Sequence, residues 1–121
     1  MNDNTYLPNK LYKSVPIYNK LVRDKIPEIL ENKGLKYKTK ILDEIDYKKY
    51  LRIKLDEEIS ELDQATTNQE KLEELSDILE LLFAMTKQLS FNHDHLINKT
   101  NSKRKNRGGF EDKIFLIEVE D

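Results

Sequence analysis

The chain is 121 residues long, 37% hydrophobic and 36% charged, with a net charge of −2. That is one domain's length, charge-rich and suited to helices, with enough apolar content for a core. Three glycines and three prolines argue against a turn-rich sandwich or barrel, the absence of cysteine excludes disulfides and thiolate metal sites, and no run is long and apolar enough to span a bilayer.

With no signal-peptide pattern at the N-terminus, a cytoplasmic protein without a membrane partner is expected. Residues 1–17 are polar, carry Pro8 and Pro16, and show no sustained period. They read as an extended N-terminal arm, leaving 18–121 as the domain. The first helix falls within 18–33, with Asp24 as N-cap, Pro27 in the first turn and Gly34 at the stop. Ahead of it, Lys20, Arg23 and Lys25 alternate with apolar residues. They are either ordinary solvated charge or contacts to phosphate or to acidic residues. Residues 35–42 then alternate in period two, and 114–119 is the only other strand-like run, so the two are expected to pair as a small ribbon beside a helical body.

The second helix is expected from 45 to 65, with Leu51, Leu55, Ile59 and Leu62 as its apolar stripe. At 100° per residue, Glu58 falls inside that stripe and Glu61 at its edge. A charge placed there must be paired, protonated or metal-bound, because desolvating it alone costs several kcal/mol. A polar turn follows, then a third helix from 70 to 89. Leu72, Leu75, Ile78, Leu79, Leu82, Phe83 and Met85 make its apolar surface too wide for a single neighbour. Glu73, Glu80 and Lys87 recur on its wet side, whereas Glu74 and Asp77 share a side with Ile78, Leu81 and Met85. The last helix spans 92–107, with Asn92 as N-cap and Gly108 as stop. Lys99, Lys103 and Arg107 stand four apart on one side of it. Phe110 is expected to anchor the chain before the last strand.

Two acidic pairs thus stand on neighbouring helices, each interrupting an otherwise apolar face. Solvated acids on a charge-laced hairpin are the plain alternative, but that double displacement favours a cation site at Glu58, Glu61, Glu74 and Asp77. All-oxygen ligands select a hard ion, Mg²⁺ first and Mn²⁺ second. Glu57 is a ligand to a second metal or an assisting base. Lys99, Lys103, Arg104 and Arg107 are solvated charge or, given the acidic hairpin, phosphate contacts led by Lys103 and Arg107. Without interleaved aromatics they make nucleic acid an unlikely partner. His93 and His95 receive no role. There is no Gly-rich phosphate loop and no nucleophile elbow.

The pattern Glu57-Glu58-x-x-Glu61 followed by Glu74-x-x-Asp77 resembles the signature of the all-α, MazG-type nucleoside triphosphate pyrophosphohydrolases. That superfamily includes dimeric dUTPases and phosphoribosyl-ATP pyrophosphohydrolases. The stretch from Tyr18 through Asn19-Lys20-Leu21-Val22-Arg23-Asp24-Lys25-Ile26-Pro27 to Leu30 resembles the opening of a small single-domain branch, and Lys103 to Arg107-Gly108-Gly109-Phe110 resembles its close. The resemblance implies an all-α antiparallel helical bundle completed by oligomerisation, as a homodimer or homotetramer. It also implies Mg²⁺ on Glu58, Glu61, Glu74 and Asp77 with Glu57 assisting, and hydrolysis of an NTP or dNTP to monophosphate and pyrophosphate. Lys20, Arg23, Lys99, Lys103 and Arg107 are the expected phosphate contacts. Phosphoribosyl-ATP hydrolysis and a non-catalytic nucleotide-binding module are the alternatives.

Overall fold

The computed structural model describes residues 16–120 and builds four helices: α1 (Ile26–Asn32), α2 (Glu44–Gln64), α3 (Asn68–Gln88) and α4 (His93–Arg107). The chain divides into two compact units, Met1–Lys54 and Leu55–Asp121, with the boundary inside α2. Of the arm expected at 1–17, residues 1–15 lie outside the described residues. None of the described helices is long and apolar enough to cross a membrane.

In the first unit, α1 is shorter than the 18–33 expected. Pro27 occupies its first turn and has no N–H to give, and its ring opposes helix on its N-terminal side. The N-cap is Lys25 rather than Asp24, and no side-chain bond caps the helix. Its C-terminus is closed as expected. Gly34 takes φ +71°, its N–H donates to Glu31 O at 2.9 Å, and Leu35 N–H reaches back to Leu30 O at 3.1 Å. This nested pair needs a left-handed residue, which glycine supplies without strain. Asp43 caps α2 by accepting from Asp46 N–H at 2.8 Å. Among the described residues of this unit, Leu51 is the buried apolar one, 1% exposed.

In the second unit, the C-terminal part of α2 is joined to α3 through residues 65–67, and α3 is joined to α4 through 89–92. Short connections of this kind make antiparallel neighbours. The α3 terminus repeats the nested closure with a different residue. Ser90 takes φ +69°, its N–H donates to Lys87 O at 2.9 Å, and Phe91 N–H donates to Thr86 O at 3.1 Å. The α4 helix begins at Asn92, whose side chain accepts from His95 N–H at 2.9 Å while His95 Nδ1 accepts from Asn92 N–H at 3.0 Å. Across this turn the His93 ring lies 3.7 Å, centroid to centroid, from Phe83 of α3.

The expected ribbon does not form: no strand occurs among the described residues. A strand draws its hydrogen bonds from a partner, and period-two alternation carries no information about whether one arrives. Tyr37 is instead tied to α1, its hydroxyl donating to Glu31 at 3.1 Å. Phe110, expected to anchor the chain, is 96% exposed. Beyond α4, Gly108 takes φ +84° and ψ 175°, a region nearly closed to other residues.

Ser90 bears the left-handed strain that Gly34 avoids. Replacing Ser90 with Gly is expected to raise stability by about 0.5–1 kcal/mol in urea unfolding; a loss of stability would contradict the assigned turn.

Candidate functional site

The α2–α3 turn sets the site. Thr67 is the N-cap of α3, accepting from Glu70 N–H at 3.1 Å, while Glu70 Oε1 accepts from Thr67 N–H at 3.3 Å. The same Glu70 oxygen accepts from Thr66 N–H at 3.1 Å and from the Thr66 hydroxyl at 3.2 Å. One carboxylate therefore ties three donors, closing a reciprocal capping box and fixing where α3 begins. These bonds hold the Glu70 carboxyl below the ordinary glutamate range, the Thr66 backbone bond having the largest effect and the Thr67 backbone bond the next.

With the start of α3 set, the two acidic pairs meet. One carboxylate oxygen each from Glu58, Glu74 and Asp77 lies within 4.8 Å of the other two, a cluster that spans α2 and α3. Glu57, Glu58 and Glu61 form a second such group along α2, so Glu58 belongs to both. Glu58 is 5% exposed, Glu57, Glu74 and Asp77 are half-buried, and Glu61 is exposed. The five acids expected from the sequence thus fall into two groups joined through Glu58. Glu73 and Glu80 remain exposed, as the helical wheel predicts.

Like unit charges at such a separation repel by roughly 3–4 kcal/mol per pair at an effective dielectric near 20. A counter-charge relieves this. Glu74 Oε1 is buried and accepts no hydrogen bond. An oxygen in that position, beside carboxylates from two helices, fits a hard divalent cation better than a soft one.

The basic residues are distributed differently. Lys99, Lys103 and Arg107 are exposed along α4 within the second unit. Arg104, beside them, is held by Glu111 at 3.3 Å, and a Cβ on Gly109 would collide with both of those side chains. Lys20 and Arg23 belong to the first unit, where the Lys20 ammonium lies 5.7 Å from the Tyr18 ring centroid.

Sequence reasoning missed two things here. Ile59 was placed in the apolar stripe of α2 but is 43% exposed, whereas the stripe's other members are buried (Leu51) or half-buried (Leu55 and Leu62). His95 received no role but closes the α4 cap, because imidazole Nδ1 can accept where the usual box has Glu or Gln. Thr67-x-x-Glu70 had that usual form and could have been read.

Because folding lowers the Glu70 pKa, its contribution to stability is present above the unfolded-state value and is lost as pH falls through the folded one. Carbon-detected titration should place the Glu70 midpoint below that of ordinary glutamates, and Glu70→Gln should flatten this part of the acid stability profile. The chain matches no protein-family model, no curated protein and no solved structure.

Proposed function

We propose that the protein is a Mg²⁺-dependent nucleotide pyrophosphohydrolase, cleaving an NTP or dNTP to the monophosphate and pyrophosphate. The observation that carries this reading is the convergence of buried Glu58 with Glu74 and Asp77 across the hairpin. The reaction itself comes from the resemblance of Glu57-Glu58-x-x-Glu61 and Glu74-x-x-Asp77, and of the stretches Tyr18–Leu30 and Lys103–Phe110, to MazG-type enzymes.

Glu58, Glu61, Glu74 and Asp77 would hold Mg²⁺, with Mn²⁺ as a substitute. When bound, the ion supplies neutralisation of triphosphate charge and polarisation at the scissile linkage. The chain's own residues do the rest. Glu57 is half-buried and grouped with Glu58 and Glu61; it would accept the proton of an attacking water or hold a second metal. Lys103 and Arg107, exposed cations on one side of α4, would hold outer phosphates, with Lys99 extending the row. The working form is proposed to be a homodimer or homotetramer, because Leu72, Leu75, Leu79 and Leu82 leave the outer side of α3 bare, each 38–58% exposed.

Two measurements test this. With Mg²⁺ and a panel of nucleotides, the purified protein should release pyrophosphate, and Glu61→Gln or Asp77→Asn should lower the rate by about 100-fold or more; release unchanged by both would sink the assignment. Separately, Mg²⁺ at ten times its dissociation constant should add about 1.4 kcal/mol of stability and raise Tm by several degrees. Asp77→Asn or chelation should remove that shift.

A further inference from the structure

The second unit leaves two apolar surfaces uncovered. The first is the outer side of α3. Leu72, Leu75, Leu79 and Leu82 are spaced three, four and three apart, and Leu89 continues the series seven residues on. They are 58%, 50%, 44%, 38% and 70% exposed. Alternating spacings of three and four form a straight seam on a helix. This seam lies away from Glu74 and Asp77, whose side of α3 is half-buried. The second surface is the segment after α4. Ile114, Phe115, Leu116, Ile117 and Val119 are 85%, 88%, 72%, 86% and 70% exposed, and none of them is in a helix or strand.

A six-residue run of this composition, left in water, is an aggregation hazard, and a chain that stays in solution must cover it. The two surfaces match in length. Six extended residues span about 20 Å, and the seam from Leu72 to Leu89 rises about 25 Å. They belong to the same compact unit, yet within one chain neither covers the other. The start of the segment is set by Gly108, whose backbone region is nearly glycine-only, and by the Arg104–Glu111 ion pair that holds it to the end of α4.

From this we infer that two copies of the chain exchange C-terminal segments, residues 114–119 of each lying along the outer leucines of α3 in the other. Area decides between this and a bare helix-to-helix seam. At roughly 150–200 Å² per large side chain, the five leucines expose only about 450 Å² per chain, whereas seam and segment together offer more than about 1,000 Å². A stable interface takes about 800 Å² per partner. Exchange is also isologous, so it closes at two copies and leaves neither surface open. It deepens the homo-oligomer reading above and does not depend on the hydrolase reading.

The absence of cysteine makes the test clean. Chains carrying Leu79→Cys or Leu116→Cys alone, with different tags, would be co-expressed and treated with a short bis-maleimide. A covalent product bearing both tags is expected. A product joining only two Leu79→Cys chains would overturn exchange in favour of a helix seam. A link within single chains of the Leu79→Cys/Leu116→Cys double variant would overturn it in favour of a segment folded on its own helix. Light scattering on Ile114→Glu/Ile117→Glu, two exposed positions whose substitution spares the fold of one chain, should show the mass of the wild-type assembly at least halved. An assembly that keeps its mass overturns the exchange alone. A wild-type protein already at the mass of one chain overturns the oligomer reading with it, and neither result bears on pyrophosphate release.

Discussion

The site depends on one constraint: a carboxylate, Glu58, is held 95% out of water on the face of α2 that meets α3. Across the hairpin this carboxylate meets two more, Glu74 and Asp77, one oxygen of each within 4.8 Å of the others. An apolar residue at position 58 would serve the packing of α2 better. Keeping an acid at so enclosed a position makes sense when the acids act together, and a bound cation would turn their repulsion into attraction. That physical logic underlies the proposed metal centre.

The short turn between α2 and α3 makes this closeness possible. Glu70 ties Thr66 and Thr67 to the first turn of α3, so the α3 register starts at a defined residue. From Thr67, ten residues of helix bring Asp77 opposite Glu58. A slip of one residue would rotate Asp77 by about 100° and carry it off that face. The cap therefore positions the acids as well as stabilising the helix.

The α3 helix divides its apolar residues between two sides. The side with Glu74, Asp77, Ile78 and Leu81 is half-buried, and the leucines at 72, 75, 79 and 82 face outward. This explains why its apolar surface is wider than a two-helix contact requires. The acids and the outer leucines sit on different sides of one rigid element, so association through the leucines would leave the acidic cluster unobstructed by that contact.

Much of this was legible in the chain itself. The bounds of α2, α3 and α4, the Gly34 and Gly108 stops, the Asn92 cap and the acidic pairs one turn apart on α2 and on α3 follow from chemistry acting over three to seven residues. Hydrogen bonds in helices and caps are local, so local sequence determines them. What the sequence left undecided involves groups distant along the chain. Residues 35–42 and 114–119 alternate like strands, but a strand exists only where a partner supplies its bonds. Ile59 matched the apolar period of α2, and its exposure depends on where α3 lies rather than on its own spacing. The helical period already put Glu58 on the enclosed face, and only the tertiary structure decided that Ile59 stays outside it, because burial belongs to the arrangement of neighbouring helices and no residue carries it alone.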